Sequence, residues 1–151
     1  MSQWRQASPY GDITVVTTAR GLHEITRDGE ADGKPDRAVA RQLDQWFVGR
    51  RRAFDLTLDL DGVDGFRRDV LETLVREVHW GETVSYGELA EMAGRPRAAR
   101  AVGSAMRTNP LPFVIPCHRV IASGGKIGGY GGGREAIELK RALLAREGVR
   151  L

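Results

Sequence analysis

The sequence predicts an α/β fold of the α+β kind: a small sheet-plus-helix domain over residues 1–62, then a mainly helical domain over 63–151 that contains a helix-turn-helix. Three observations predict it. Strand-length apolar runs dominate the first sixty residues, apolar residues recur at helical spacing through most of the remainder, and Asp61-Gly62-Val63-Asp64-Gly65 breaks the pattern between them. With 151 residues and 41% hydrophobic side chains the chain can bury a real core, although a 60-residue piece alone would be marginal.

The elements follow in order. Ile13–Thr17 and Leu22–Thr26 flank Thr18-Ala19-Arg20-Gly21, which predicts a hairpin with Gly21 in its turn. The acidic, glycine-rich stretch 28–36 with Pro35 reads as a loop. Val39, Leu43 and Phe47 repeat every four residues and predict a helix over 37–48. Residues 53–60 (Ala-Phe-Asp-Leu-Thr-Leu-Asp-Leu) alternate and predict a half-buried strand. Phe66, Val70, Leu71, Leu74, Val75 and Val78 predict one face of a helix, with Asp64 as its N-cap. Ser85-Tyr86-Gly87-Glu88 has the form of a capping box, in which serine and glutamate satisfy each other's free amides. That helix is expected to stop at Gly94, with Pro96 in the first turn of the next, which extends to Arg107. The pair reads as a helix-turn-helix. A last helix covers 134–146.

Charge narrows the function. Residues 1–62 carry 9 Lys and Arg against 10 Asp and Glu, and residues 63–151 carry 14 against 10. From Met92 to Arg134 there are seven basic residues (Arg95, Arg97, Arg100, Arg107, Arg119, Lys126, Arg134) and no acidic one, a footprint that suits a polyanion as well as a solvated face. No apolar run approaches the length of a transmembrane helix, and Met1–Gln6 has no apolar leader character, so a cytoplasmic protein without membrane partners is expected. One cysteine among 151 residues excludes an internal disulfide and a multi-cysteine zinc site.

Two segments carry chemistry. The helix after Pro96 is rich in small residues (Ala98, Ala99, Ala101, Gly103, Ser104, Ala105), which suits either tight helix packing or close approach to a DNA minor groove, with the long Arg100 able to push into the base stack. Residues 109–121, Asn-Pro-Leu-Pro-Phe-Val-Ile-Pro-Cys-His-Arg-Val-Ile, read as an extended, proline-stiffened passage to the single thiol. Cys117 has His118 and Arg119 beside it, a setting that favours thiolate. Lowering a thiol from its usual pKa of about 8.5 by two units corresponds to roughly 3 kcal/mol of differential stabilisation. On a strand, Cys117 and His118 would face opposite ways, so a dyad needs a bend or a bridging water; Glu147 is one candidate to orient the imidazole. The seven glycines in 124–133 suit a phosphate cradle, a lid with Tyr130 as one wall, or a flexible turn, but not a Walker loop.

Pro116-Cys117-His118-Arg119-Val120 resembles the active-site signature of the O6-alkylguanine-DNA alkyltransferases, the methylated-DNA–protein-cysteine methyltransferases. Ser85-Tyr86-Gly87-Glu88-Leu89-Ala90, Ala98-Ala99-Arg100-Ala101-Val102-Gly103, Asn109-Pro110 and Tyr130-Gly131-Gly132 fall in the family's order. The resemblance is strong from Phe66 to Leu151 and loose before it. It implies that Cys117 accepts an alkyl group irreversibly, with His118 as its water-mediated base and Glu147 orienting that histidine. It implies a hinge at Asn109 and a tyrosine, Tyr86, that crowds the flipped nucleotide and bonds the guanine. The carbonyls of Cys117 and Val120 would take the exocyclic amine, and Tyr130 with Gly131 would form the lid. Arg100 would fill the gap left by the flipped base, on a helix whose Ala99, Ala101, Gly103 and Arg107 also meet DNA.

The implied partner is double-stranded DNA containing O6-alkylguanine, with O4-alkylthymine a second candidate lesion, and the implied free state is a monomer. No cofactor is implied. Some members bind zinc through amino-terminal cysteines that this chain lacks, so no metal is expected; some carry Ser at the position of Gly131, which leaves only a backbone amide there. A non-catalytic lesion-recognition protein of the alkyltransferase-like kind is the alternative, and Cys117 argues against it. A cysteine hydrolase gives no reason for the helix-turn-helix, and a regulator would need bulkier base-reading side chains.

Overall fold

A computed structural model of the chain describes residues 1–27, 29–128 and 133–151, with side chains at all of these except 133–135. Two compact units are present, Met1–Gly62 with Pro110–Pro112, and Val63–Asn109 with Phe113–Leu151. Sheet and helix are mixed, as an α/β chain requires.

The first unit holds an antiparallel sheet in the order β1 (Ser2–Gln6), β2 (Ile13–Thr18), β3 (Gly21–Thr26), followed by helix α1 (Arg37–Phe47). The expected hairpin forms, with Thr18 opposite Gly21. Gly21 has φ +133°, and a Cβ there would lie 2.3 Å from the Thr57 carbonyl oxygen, so the passing chain as well as the turn demands glycine. β1 carries no legible alternation because Trp4 is its one buried side chain. Asp36 caps α1 by accepting from the amides of Ala38 and Val39, and the helix buries Val39, Leu43, Trp46 and Phe47.

The predicted strand over 53–60 is corrected. Phe54, Leu56 and Leu58 are half-buried as the alternation demands, but the segment bridges the sheet at Leu58 alone, opposite Leu22. Its end turns inward, where Asp59 accepts from Thr18 Oγ1 at 2.6 Å and the Asp61 amide at 3.0 Å. Those bonds, that from Thr18 foremost, hold its carboxyl below the usual range, with the nearby His23 and Arg20 acting in the same direction.

The second unit runs α2 (Gly65–Glu77), β4 (Val84–Ser85), α3 (Tyr86–Met92), α4 (Ala99–Arg107), a 3₁₀ turn (Cys117–Arg119), β5 (Val120–Ile121), a second 3₁₀ turn (Ser123–Gly125) and α5 (Gly133–Arg146). α2 buries Val70, Leu71 and Leu74, while Val75, expected on the same face, is 39% exposed because one further residue rotates it about 100° away. Asp64 precedes the helix but its side chain makes no cap bond. Both halves of the Ser85–Glu88 capping box are formed. Pro96 lies outside α4, in a turn closed by Ala98 N–H to Arg95 O (3.0 Å), so the helix starts three residues later than predicted. Proline suits the turn because its φ is already set. Among the described residues, no helix is long and apolar enough to cross a membrane.

Residues 109–116 are also corrected: the passage is turned, not extended. Asn109 Nδ2 donates to Ile115 O at 2.9 Å, and Phe113, 2% exposed, takes φ +73°. A buried non-glycine residue in that region stores strain that the surrounding packing must hold.

Candidate active site

Cys117 enters the core at the head of the 3₁₀ turn and is 4% exposed. Its amide bonds back to Ile115 O at 2.8 Å, and the Arg119 amide to Pro116 O at 2.9 Å. The Val120 amide donates to Cys117 O and closes the turn. Because the residues form a turn and not a strand, the opposite-faces constraint that a strand would place on Cys117 and His118 does not apply.

His118 is fully buried, and its Nε2 stands 2.7 Å from Glu147 Oε2. Burial depresses the imidazole pKa below its usual value, against the pull of Glu147, so the ring is neutral at pH 7. Bonded to an ionised carboxylate, Nε2 is the nitrogen that carries the proton, which leaves the lone pair on Nδ1. Glu147, just past α5, is held at about 2: burial opposes ionisation, and the bonds from His118 and Arg119 outweigh it.

Arg119 supplies those bonds with a fork. Its Nε donates to Glu147 Oε1 at 2.8 Å, one terminal nitrogen to Oε2 at 3.1 Å, and the other to Val78 O at 3.0 Å. It is 6% exposed. The sequence counted Arg119 in a basic, polyanion-facing stretch; it is instead an internal clamp, since a buried guanidinium must be paired.

β4 and β5 form a two-residue parallel bridge, Val84 opposite Val120 and Ser85 opposite Ile121. This brings the start of α3, and with it Tyr86, beside the cysteine turn. Burial and the charge of Cys117 raise the Tyr86 pKa, with Arg107 opposing, so its hydroxyl remains a donor. A Cβ on Gly128 (φ +73°) would lie 3.1 Å from Tyr86 Cε2, so the tyrosine ring packs against bare backbone.

Lys140, on α5, lies against this site and was missed by sequence reasoning. It is 0% exposed, and Nζ donates to Val120 O at 2.6 Å and to Tyr86 Oη at 3.5 Å. Burial lowers its pKa to about 8, against the opposing charge of Cys117. The signal was present: Lys140, Leu143, Leu144 and Glu147 lie at i, i+3, i+4 and i+7, so the lysine sits on the apolar face.

On α4, Arg100, Ala101, Ser104 and Arg107 are exposed, Ala99 and Gly103 half-buried, and Val102, Ala105 and Met106 buried. The small residues therefore split between packing and a low outer surface that carries two arginines. Tyr130 and Gly131, assigned to a lid, lie outside the described residues. Among the described residues, no group of three His, Cys, Asp or Glu side chains is set to hold a metal ion.

A buried cysteine in a hydrogen-bonded turn, followed in the chain by a neutral histidine oriented by a carboxylate, is the arrangement that activation of a thiol nucleophile calls for. The family model for the 6-O-methylguanine DNA methyltransferase DNA-binding domain matches residues 65–149. The chain is 42% identical over 150 residues to the methylated-DNA–protein-cysteine methyltransferase of Mycobacterium tuberculosis, covering 93% of this chain and 88% of that one. It is 58% identical over 168 residues to the Mus musculus protein of the same name, covering 94% and 79%. It superposes on the M. tuberculosis OGT solved in complex with DNA with a TM-score of 0.82 at 38% identity, over 97% of this chain and 92% of that one. The chain belongs to the methylated-DNA–protein-cysteine methyltransferase family.

Proposed function

We propose that this chain is a DNA repair protein that takes the alkyl group from O6-alkylguanine in duplex DNA onto its own Cys117, once per molecule. The carrying observation is the placement of Cys117 beside the fully buried pair of His118 and Glu147, 2.7 Å apart and clamped by Arg119. Family membership and the DNA complex of the M. tuberculosis relative support the partner.

The mechanism follows from these groups. His118 Nδ1, through a water, takes the thiol proton. The thiolate attacks the alkyl carbon in line, the S–C bond forms, the C–O6 bond breaks, and the electron pair goes to the guanine. The Tyr86 hydroxyl donates to the guanine ring as that charge develops, and Gly131 is assigned an amide near the departing oxygen. The carbonyls of Cys117 and Val120 each keep a second lone pair for the exocyclic amine. The thioether product has no route back to thiol within the chain, so one molecule acts once.

The reacting carbon is stacked inside the duplex, so the nucleotide must be flipped out at a cost of a few kcal/mol. We assign α3 and α4 as a helix-turn-helix, with Ala99, Ala101 and Gly103 of α4 against the minor groove, Arg107 toward phosphate and Arg100 in the vacated stack. Residues 63–151 then bind DNA and accept the alkyl group, residues 1–62 support them, Asn109 holds the turn that delivers Cys117, and Tyr130 closes the lid. The free protein is assigned as a cytoplasmic monomer, with O4-alkylthymine a second candidate lesion.

Mass spectrometry after incubation with a duplex containing one O6-methylguanine tests this. The expected result is a gain of one methyl group on the Cys117 peptide, saturating at one per protein. Tight binding without mass gain would make the chain a recognition protein, and neither would leave only the shared fold.

A further inference from the structure

The proposed transfer asks two things of α4 at once. It must hold its tilt in the minor groove, and it must keep that tilt in register with the turn that carries Cys117. Two consecutive residues in the first turn of α2 reach both ends of this helix. Arg67, half-buried, donates from a terminal guanidinium nitrogen to Thr108 O at 2.7 Å. Thr108 is the C-cap of α4, where the last carbonyls lack helical partners and a cation is favoured. Its carbonyl belongs to the peptide shared with Asn109, whose Nδ2 donates to Ile115 O at 2.9 Å and so folds the passage to Cys117. At the other end, the Phe66 ring lies under Arg95, with Cζ 4.9 Å from its centre. Arg95 opens the turn that leads into α4, closed by Ala98 N–H to Arg95 O at 3.0 Å. Consecutive helical residues point about 100° apart, which is how one turn of α2 serves both ends of a helix of 9 residues. The neighbouring Arg68 shows the ordinary alternative: it pairs at 2.7 Å with Glu72, one turn on along its own helix.

We propose that Phe66 and Arg67 are positioning residues for alkyl transfer: they fix the tilt of α4 and tie its end, through the Thr108–Asn109 peptide, to the cysteine turn. The proposal rests on the reading of α4 as the DNA-binding helix and of Cys117 as the alkyl acceptor. A clamp that served stability alone would, when loosened, change duplex and small-molecule reactions of Cys117 alike. A clamp that sets the helix changes only the reaction that uses the helix, because the thiol's own reactivity belongs to His118, Glu147 and Arg119. Arg67 gives Thr108 a single bond, so an ammonium can replace it, in contrast to the fork of Arg119.

Single-turnover transfer from a duplex containing one O6-methylguanine, beside transfer from the free nucleobase O6-benzylguanine, tests it. Arg67→Met keeps the apolar stem and removes the bond. The expected result is duplex transfer about tenfold slower at subsaturating protein, the scale of one lost bond to a charged group, with transfer from the free base unchanged. Arg67→Lys should recover most of the loss. Phe66→Leu stays apolar and removes the ring face; a loss of about threefold, again on the duplex alone, is expected and decides the matter even if Arg67→Met does not fold. The salt dependence of duplex binding separates positioning from direct contact. The slope of log affinity against log salt should be the same in Arg67→Met as in the unsubstituted protein, whereas a lost phosphate contact would reduce its magnitude by about one. Equal losses on duplex and free base, no loss on the duplex, or a slope so reduced would overturn the proposal. If the unsubstituted protein moved no methyl group from the duplex, the alkyl-acceptor reading would fail and this one with it; failure of the clamp alone leaves that transfer intact.

Discussion

Arg119 places three hydrogen bonds on two acceptors, the Glu147 carboxylate and the Val78 carbonyl, and its planar fork is what lets one side chain reach both. Lysine would keep the charge and lose the fork. Arg119→Lys is therefore expected to destabilise the protein by about 2 kcal/mol, the scale of one or two lost bonds to a charged group, and to slow alkyl transfer because the carboxylate that orients His118 is no longer fixed. Denaturant unfolding and single-turnover transfer, measured together, check both; a substitution that changed neither would remove Arg119 from the network. At this scale the site was partly legible. Cys117, His118 and Glu147 are polar residues in an apolar context, and their types announce the chemistry. Arg119 and Lys140 were not, because a cation in a basic run, or on a helix of mixed charge, reads as surface until its pairing is seen. Only the helical register of Lys140 with Leu143, Leu144 and Glu147 distinguishes it.

At the scale of elements, α3 begins at Tyr86 because Ser85 and Glu88 close each other's free amides at 3.0 and 2.9 Å. The cap thus sets the direction of the tyrosine as well as the helix start. Ser85→Ala should cost about 1 kcal/mol, a fall of roughly 2–4 °C in melting temperature, and should lower transfer more than that loss of stability accounts for. Thermal melting alongside single-turnover kinetics tests this, and a transfer rate unchanged at 25 °C would separate the cap from the site. α4 makes a different demand. Ala101 is exposed between Arg100 and the buried Val102, so Ala101→Glu should fold normally and keep Cys117 reactivity while weakening duplex binding by a tenfold or more, through bulk and charge facing phosphate. Fluorescence anisotropy with a duplex checks it, and undiminished affinity would move the DNA surface off α4. The hairpin, α1 and the capping box were readable because each rests on local pattern: a turn glycine, the four-residue spacing of Val39, Leu43 and Phe47, a reciprocal pair. The stretch 53–60 was not, because alternation reports half-burial and cannot report whether a neighbouring strand has free edge to pair with. The start of α4 was missed for a related reason: Pro96 is equally at home in a turn and in a first helical turn.

For the whole molecule, the buried network ties stability to pH with a definite sign. Glu147 has a folded pKa of about 2 against 4.5 in the open chain, so the open chain binds the proton first as pH falls. Its contribution is complete above pH 4.5 and is lost progressively down to about 2. His118 acts in the same direction: its folded pKa lies below the ordinary 6.5, so the open chain gains a proton near that pH while the buried ring stays neutral, and stability falls as pH drops through it. Lys140 acts at the other end. Its folded pKa of about 8 against 10.5 means that burying the ammonium costs stability at low pH, and that stability rises from pH 8 toward 10.5. Glu147→Gln isolates the acid limb. Breaking a buried ion pair by removing one partner costs about 3–5 kcal/mol at pH 7, because Arg119 is left buried without its carboxylate. Below pH 4.5 the unsubstituted protein begins to lose the same interaction, so the gap between the two melting temperatures should narrow through the acid limb and be small near pH 2. A gap that stayed constant from pH 7 to 3 would mean that Glu147 stabilises the fold by packing alone, and that the carboxylate orienting His118 carries no charge.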